Sequence, residues 1–195
     1  MARPQAADYE DRKQEIVNRA AELFASHSFL GTSINDIAAA CGFSKSLLYH
    51  YFKSKEELLA AVMHSHIDRL EGQLEKAETA GESSSEVLHA LLGMFMAEYA
   101  GAAAKQRVLL YELDNLPDDA RALIVSKQRK IVDFVQEQIV AIRPQLRSNP
   151  ARARATTMLL FGMINWTSNW YDPAGPVSPA QIADMAFAML EPQAS

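Results

Sequence analysis

The 195-residue sequence has one cysteine, Cys41, so no internal disulfide can form. A lone thiol suits a reducing compartment. No run approaches the roughly 18 apolar residues of a membrane-spanning helix. The opening M-A-R-P-Q-A-A-D-Y-E-D lacks the apolar core of a signal peptide, so a cytoplasmic protein without a membrane partner is expected. Strand-like alternation is missing, as is any internal repeat. So are a glycine-rich phosphate loop, a nucleophile elbow and paired carboxylates. The histidines give no metal set: His64 and His66, two apart, diverge on a helix. These absences argue against an enzyme; no catalytic residue, metal or cofactor is expected.

Basic excess is lacking too, with a net charge of −5. Residues 1–53 carry six Lys/Arg against six Asp/Glu, and residues 54–195 carry 13 against 18, so the acidity lies in the second part. Hydrophobic residues make up 49%, enough for a real core.

The most structured pattern runs from Thr32 to Lys55, T-S-I-N-D-I-A-A-A-C-G-F-S-K-S-L-L-Y-H-Y-F-K-S-K. Ser33 is placed to cap a short helix with Asp36 in its first turn. Ile34, Ile37, Ala38 and Cys41 share one apolar face, which makes Cys41 a packed thiol. Gly42 is the expected stop, and Ser44 caps a second short helix with Leu48 and Phe52 inward. Lys45, Ser46, Tyr49, His50 and Lys53 are left on other faces. Ser54 and Glu57 offer a capping box for a third helix. Helix, tight turn, helix is the plan of a helix-turn-helix DNA reader. An ordinary helical hairpin with a solvated polar face has the same pattern.

The run Gly31–Leu59, with its core L-Y-H-Y-F-K-S-K-E-E-L, resembles the DNA-binding domain of the TetR family of bacterial transcriptional repressors. Phe43 stands where a smaller aliphatic residue is usual and Ser46-Leu47 where Gly-Thr is frequent; both bear on the operator sequence. The resemblance implies an all-α protein of about nine helices. A three-helix DNA-binding domain over 1–54 precedes a ligand-binding and dimerisation domain over 55–195. The implied partners are a palindromic double-stranded DNA operator, a second copy of the chain and a small-molecule inducer. Lys45, Ser46 and Leu47, following Ser44, are expected at base edges. Tyr49, His50 and Lys53 are expected on phosphates, with Thr32 and Ser33 at the preceding helix end. Arg3, Arg12 and Lys13 lie near the start of the first helix, flanked by acids. So few cations make one copy a weak binder at physiological salt, a shortfall that two copies on one operator offset.

Helical periodicity continues along the chain. Ile16, Val17, Ala20, Leu23 and Phe24 mark a helix over about 11–26, and Leu59, Met63, Ile67, Leu70 and Leu74 mark a long one over 55–80. A turn near A-G-E-S-S-S precedes helices over about 87–104 and 106–113. Ile124, Ile131, Val135 and Ile142 line the next helix, which Arg143-Pro144 ends. A helix from Pro150 through Trp170 is apolar almost all round. The last helix, opened by Ser178-Pro179, carries Ile182, Met185, Ala186, Met189 and Leu190. The two final helices have apolar surface to cover on more than one side, as a monomer core or a dimer interface would.

Phe95, Tyr99, Tyr111, Phe134, Phe161, Asn165, Trp166 and Trp170 gather aromatic and polar groups in the second domain. Core packing and a ligand cavity both use such residues; the family resemblance implies the cavity. The segment Gly162–Pro179, G-M-I-N-W-T-S-N-W-Y-D-P-A-G-P-V-S-P, resembles a subgroup whose members often respond to acyl-CoA thioesters. An acyl- or aryl-CoA inducer is therefore expected, with a xenobiotic or free hydrophobic acid as the alternative; a helical adaptor that binds only protein is the other reading, and it would leave the Tyr49-His50 face without a purpose. Arg107, Arg121, Lys127, Arg152 and Arg154 are the cations available to its phosphates.

Overall fold

The computed structural model describes residues 3–190, with side chains described from Tyr9 onward. Nine α-helices and no strands occur among the described residues. Helix α1 spans Arg3–His27 and ends where Ser28 takes a left-handed φ of 64°. Helix α2 is Ile34–Ala40; Ser33 accepts the Asp36 N–H while the Asp36 carboxylate accepts the Ser33 N–H, a full capping box. Gly42, at φ 68°, turns the chain at the conformational cost only glycine escapes. Helix α3 is Lys45–Tyr51, with Ser44 accepting the Leu47 N–H.

Helix α4 spans Lys55–Ala80. At its start Ser54 accepts the Glu57 N–H at 3.0 Å, but the Glu57 carboxylate takes the Lys53 N–H at 2.6 Å instead of that of Ser54. The return bond is displaced by one residue from the expected box. Helices α5 (Ser84–Gly101), α6 (Ala103–Tyr111), α7 (Asp118–Ile142), α8 (Pro150–Trp166) and α9 (Pro179–Ala188) complete the chain. Capping boxes recur at Ser83/Glu86 and Ser178/Gln181.

Packing divides the residues into two compact units. The first runs up to His66 and takes in Ala104–Ile124; the second comprises Ile67–Ala103 and the chain from Val125 onward. The first turns of α4 contribute Leu58, Leu59 and Met63 to the core of the first unit. That core also holds Ile16, Val17, Ala20, Phe24, Ile37, Ala38, Leu48 and Phe52, all buried. A buried polar link joins His66 Nε2 to Gln106 Oε1 at 2.7 Å.

In the second unit Leu70, Leu74, Leu88, Leu91, Leu92, Phe95, Ile131, Val135, Ile139, Leu160, Phe161 and Ile164 form the core, and α9 packs against α5 and α8. Lys127 bridges Asp68 (2.6 Å) and Glu71 (3.1 Å), while Lys130 reaches Glu71 at 2.7 Å. Hydrogen bonds from Lys130 and Lys127 hold the Glu71 carboxyl below its ordinary range, and bonds to Asp68 and Glu71 raise the Lys127 ammonium.

Several expected boundaries shift. Helix α1 begins eight residues before the start expected near residue 11, since polar residues can extend a helix that packing has already nucleated. Ile139 is buried on α7 where Ile142 is only half-buried. Helix α8 stops at Trp166, and Thr167–Asn169 tighten into a 3₁₀ turn in which the Thr167 hydroxyl donates to the Ile164 carbonyl at 2.6 Å. The apolar stripe of α9 splits: Ile182, Ala186 and Leu190 are buried, whereas Met185 and Met189 are 51% and 68% exposed.

Candidate functional site

The candidate reader is built around the α2–turn–α3 pair. Leu48 is fully buried and Phe52 nearly so, which fixes one side of α3 against the core. Lys45, Ser46, Tyr49, His50 and Lys53 are all exposed, and Leu47 is half-buried. The Lys45 ammonium lies 6.0 Å from the centre of the Tyr49 ring. A seven-residue helix presenting Lys45, two hydroxyls and an imidazole, with Lys53 just past its end, has the size and donor set to enter a major groove.

The flanking positions do other work. The Thr32 side chain is buried, and its hydroxyl donates to the carbonyls of Ser28 (2.8 Å) and Leu23 (3.3 Å). The hydroxyl ties the chain back to α1. Ser33 is exposed, but its hydroxyl donates to the Asp36 carboxylate at 2.7 Å and accepts the Asp36 N–H. That hydroxyl, followed by the Ser33 backbone N–H, holds the Asp36 carboxyl below its ordinary value. Ser44 is similarly engaged as the α3 cap. Lys13 lies 6.0 Å from the centre of the Phe52 ring; Arg12 is exposed, and the Arg3 side chain lies outside the described residues. Cys41 is half-buried; burial pushes its thiol up, with Glu15 adding to the effect, as suits a packed group.

Lys55, Phe29, Tyr9 and Tyr51 carried no pattern of their own in the sequence. The Lys55 ammonium sits 4.1 Å from the centre of the Phe29 ring and donates to the carbonyls of Phe29 (2.8 Å) and Thr32 (2.9 Å). It thereby fastens the α1–α2 turn to the start of α4. Tyr9 of α1 stacks on Tyr51 with ring centres 4.7 Å apart, and meets His50 edge-on at 6.2 Å. Only contact across the fold identifies these residues.

The eight expected ligand residues do not form one set. Phe95, Tyr99 and Phe161 come together as a buried ring cluster, with Phe95 6.2 Å from Tyr99 and 6.5 Å from Phe161. A recess of about 50 Å³ beside Tyr99 is lined by Met96, Ala100, Thr167, Ser168 and Tyr171, among others. Phe134 and Asn165 are half-buried, and Tyr111 is exposed in the first unit. Trp166 and Trp170 lie apart from that cluster. They are 62% and 58% exposed and line an open apolar groove of about 530 Å³ with Leu159, Met163, Met185 and Met189. Trp166 lies there because α8 buries Leu160, Phe161 and Ile164 and so turns the opposite side outward; Trp170 follows the 3₁₀ turn after it.

The description "Bacterial regulatory proteins, tetR family" matches residues 16–62, and "Tetracyclin repressor-like, C-terminal domain" matches residues 81–191. The HTH-type transcriptional repressor KstR2 of Mycolicibacterium smegmatis is 30% identical over 193 residues, 92% of this chain and 88% of that protein. A TetR-family transcriptional regulator from Bordetella parapertussis matches with a TM-score of 0.88 at 36% identity, over 91% of this chain and 93% of its own. AibR, solved in complex with isovaleryl coenzyme A and operator DNA, matches with a TM-score of 0.80 at 31% identity, over 93% and 98%. The chain belongs to the TetR family of bacterial regulatory proteins and is a DNA-binding transcription factor, not an enzyme.

Proposed function

We propose that this regulator is a repressor that binds a palindromic operator as a homodimer, in the cytoplasm where the DNA lies, and that a small apolar inducer releases it. The observation that carries the reading is the pairing of two exposed faces on one chain. One is the polar face of α3; the other is the apolar face shared by α8 and α9. A single α3 offers few cations, and a second copy joined through α8 and α9 supplies the other half-site. An apolar groove of this kind, flanked by exposed Trp and Met, has the chemistry of an interface core.

The inducer is an acyl- or aryl-CoA thioester whose acyl part enters among Phe95, Tyr99, Phe161 and Phe134. The likeness to AibR, which was solved with isovaleryl coenzyme A, supports this chemistry. A recess of about 50 Å³ beside Tyr99 is far smaller than an ordinary ligand site, so entry requires side chains such as Met96 to move. That requirement suits a switch, because a ligand shifts an equilibrium only by favouring one arrangement. One observation favours the alternative, an inducer without phosphates such as a free hydrophobic acid. Three of the available cations are engaged: Arg121 with Asp114, Lys127 with Asp68 and Glu71, and Arg154 with Asp133.

The test is titration of the protein–operator complex with isovaleryl-CoA, longer acyl-CoA thioesters, coenzyme A and the free acids. Release by thioesters alone supports the proposal. Release by free acids and never by thioesters sinks the ligand assignment and leaves the repressor reading intact. A protein that is monomeric at micromolar concentration overturns the dimer.

A further inference from the structure

We infer that Tyr9, an aromatic residue of α1 outside the reading helix, is a positioning residue that sets the roll of α3 and the orientation of His50 on its DNA-facing side. The inference rests on α3 being the reader.

Helix α3 has seven residues, well short of the roughly 12–15 that hold a helix by themselves, so packing must orient it. Its exposed face has to stay bare for DNA, which leaves few places to hold it. Leu48 is the only residue of α3 that is fully buried, and Phe52 follows immediately after the helix. Fixed along that one line, a short helix can still roll. Tyr51 lies about 60° round the helix from Leu48, at 3.6 residues per turn, and it is on Tyr51 that Tyr9 stacks. The rings are 4.7 Å apart and 26° from parallel. A second line of contact at that azimuth removes the roll.

The same ring acts on His50. Tyr9 meets the imidazole at 87° and 6.2 Å, and Tyr51 meets it at 85° and 5.6 Å. The imidazole is thus flanked by two ring contacts, an arrangement in which the positive ring edge meets a negative ring face. His50 remains exposed, so the contacts restrict its rotamer without hiding it. A restricted side chain loses less freedom when it engages a phosphate or base.

The experiment compares Tyr9→Phe, Tyr9→Leu and Tyr9→Ala with wild type on a duplex selected by the wild-type protein from random sequence, and on an unrelated duplex of equal length. Melting temperature and the chemical shifts of the His50 ring protons are recorded for each. Tyr9→Phe should bind like wild type, since it keeps the ring. Tyr9→Leu and Tyr9→Ala should weaken the selected duplex about tenfold, the scale of one aromatic pair, with a smaller loss on the unrelated duplex, since the roll of α3 bears on base edges and His50 on phosphates. The His50 ring protons should lose their ring-current shift in both.

Should Tyr9→Ala fail to fold, Tyr9→Leu keeps the apolar contact and decides alone. Wild-type affinity in Tyr9→Leu overturns the inference. So does an equal loss on both duplexes, which marks a merely structural role, and so does a Tyr9→Phe variant as weak as Leu, which marks a hydroxyl contact with DNA. Lys45→Ala and Lys53→Ala separate the two failures. If they also bind like wild type, α3 is not the reader and the premise falls. If they are impaired while Tyr9→Leu is not, this inference alone falls.

Discussion

Thr32 and Ser33 are adjacent hydroxyls with different tasks, and each can be tested alone. Thr32 turns inward to two carbonyls of the α1 end, so Thr32→Val should cost about 1–2 kcal/mol in urea denaturation, with the operator preference of the folded protein kept. Ser33 is linked to Asp36, whose depressed carboxyl binds its proton less readily folded than unfolded. Such a group stabilises the fold above the unfolded value and loses that contribution as pH falls through the folded one. The penalty of Ser33→Ala should therefore be present at pH 7 and shrink below about pH 4. Lys53 carries a different signature. Lys53→Ala should weaken selected and unrelated DNA alike and lower the salt dependence of binding by about one unit of slope per subunit. Lys45→Ala should chiefly relax sequence preference.

At the scale of elements, the two turns that frame α2 need glycine for different reasons. A Cβ on Gly31 would lie 2.1 Å from the His27 carbonyl oxygen, a backbone atom that cannot swing away. Gly42 has open space around its missing Cβ but a φ of +68°. Gly42→Ala should cost about 1–2 kcal/mol, and Gly42→Asn less, because Asn tolerates the left-handed region. Gly31→Ala must move the α1–α2 turn and should lower the melting temperature further than Gly42→Ala does. Equal melting temperatures for the two variants would contradict this assignment of causes.

Across the whole molecule, the proposed assembly and the proposed induction call on different faces. Met189→Glu places a charge on an exposed site of the α8/α9 groove and should give folded monomers with weakened operator binding, read by sedimentation and gel shift. Ala186→Glu is no substitute, because Ala186 is buried in its own chain and a charge there tests folding. Trp166 and Trp170 lie on that groove, so their emission should shift to the red on dilution into monomers. Phe161→Ala, within the ring cluster, should keep operator binding and lose the response to inducer.

What the sequence determined by itself was local. Capping residues, apolar stripes and the left-handed turn at Gly42 act over three to seven residues, a distance that sequence spacing encodes directly. Those rules gave α2, α3 and α4, the inward Leu48 and Phe52 and the exposed set on α3; the resemblance over Gly31–Leu59 gave their purpose. Tertiary contact decided the rest. An apolar helix such as α8 has no pattern that says which side faces its own core; packing turned Phe161 and Ile164 inward and left Trp166 exposed. Thr32 read as a helix-end donor because its acceptors lie four and nine residues back, on a helix whose approach its own turn controls. Tyr9 is separated from Tyr51 by two turns and a helix, and Lys55 from Phe29 by 26 positions. Contacts at such separations depend on how helices cross, a property that no single helix's sequence specifies.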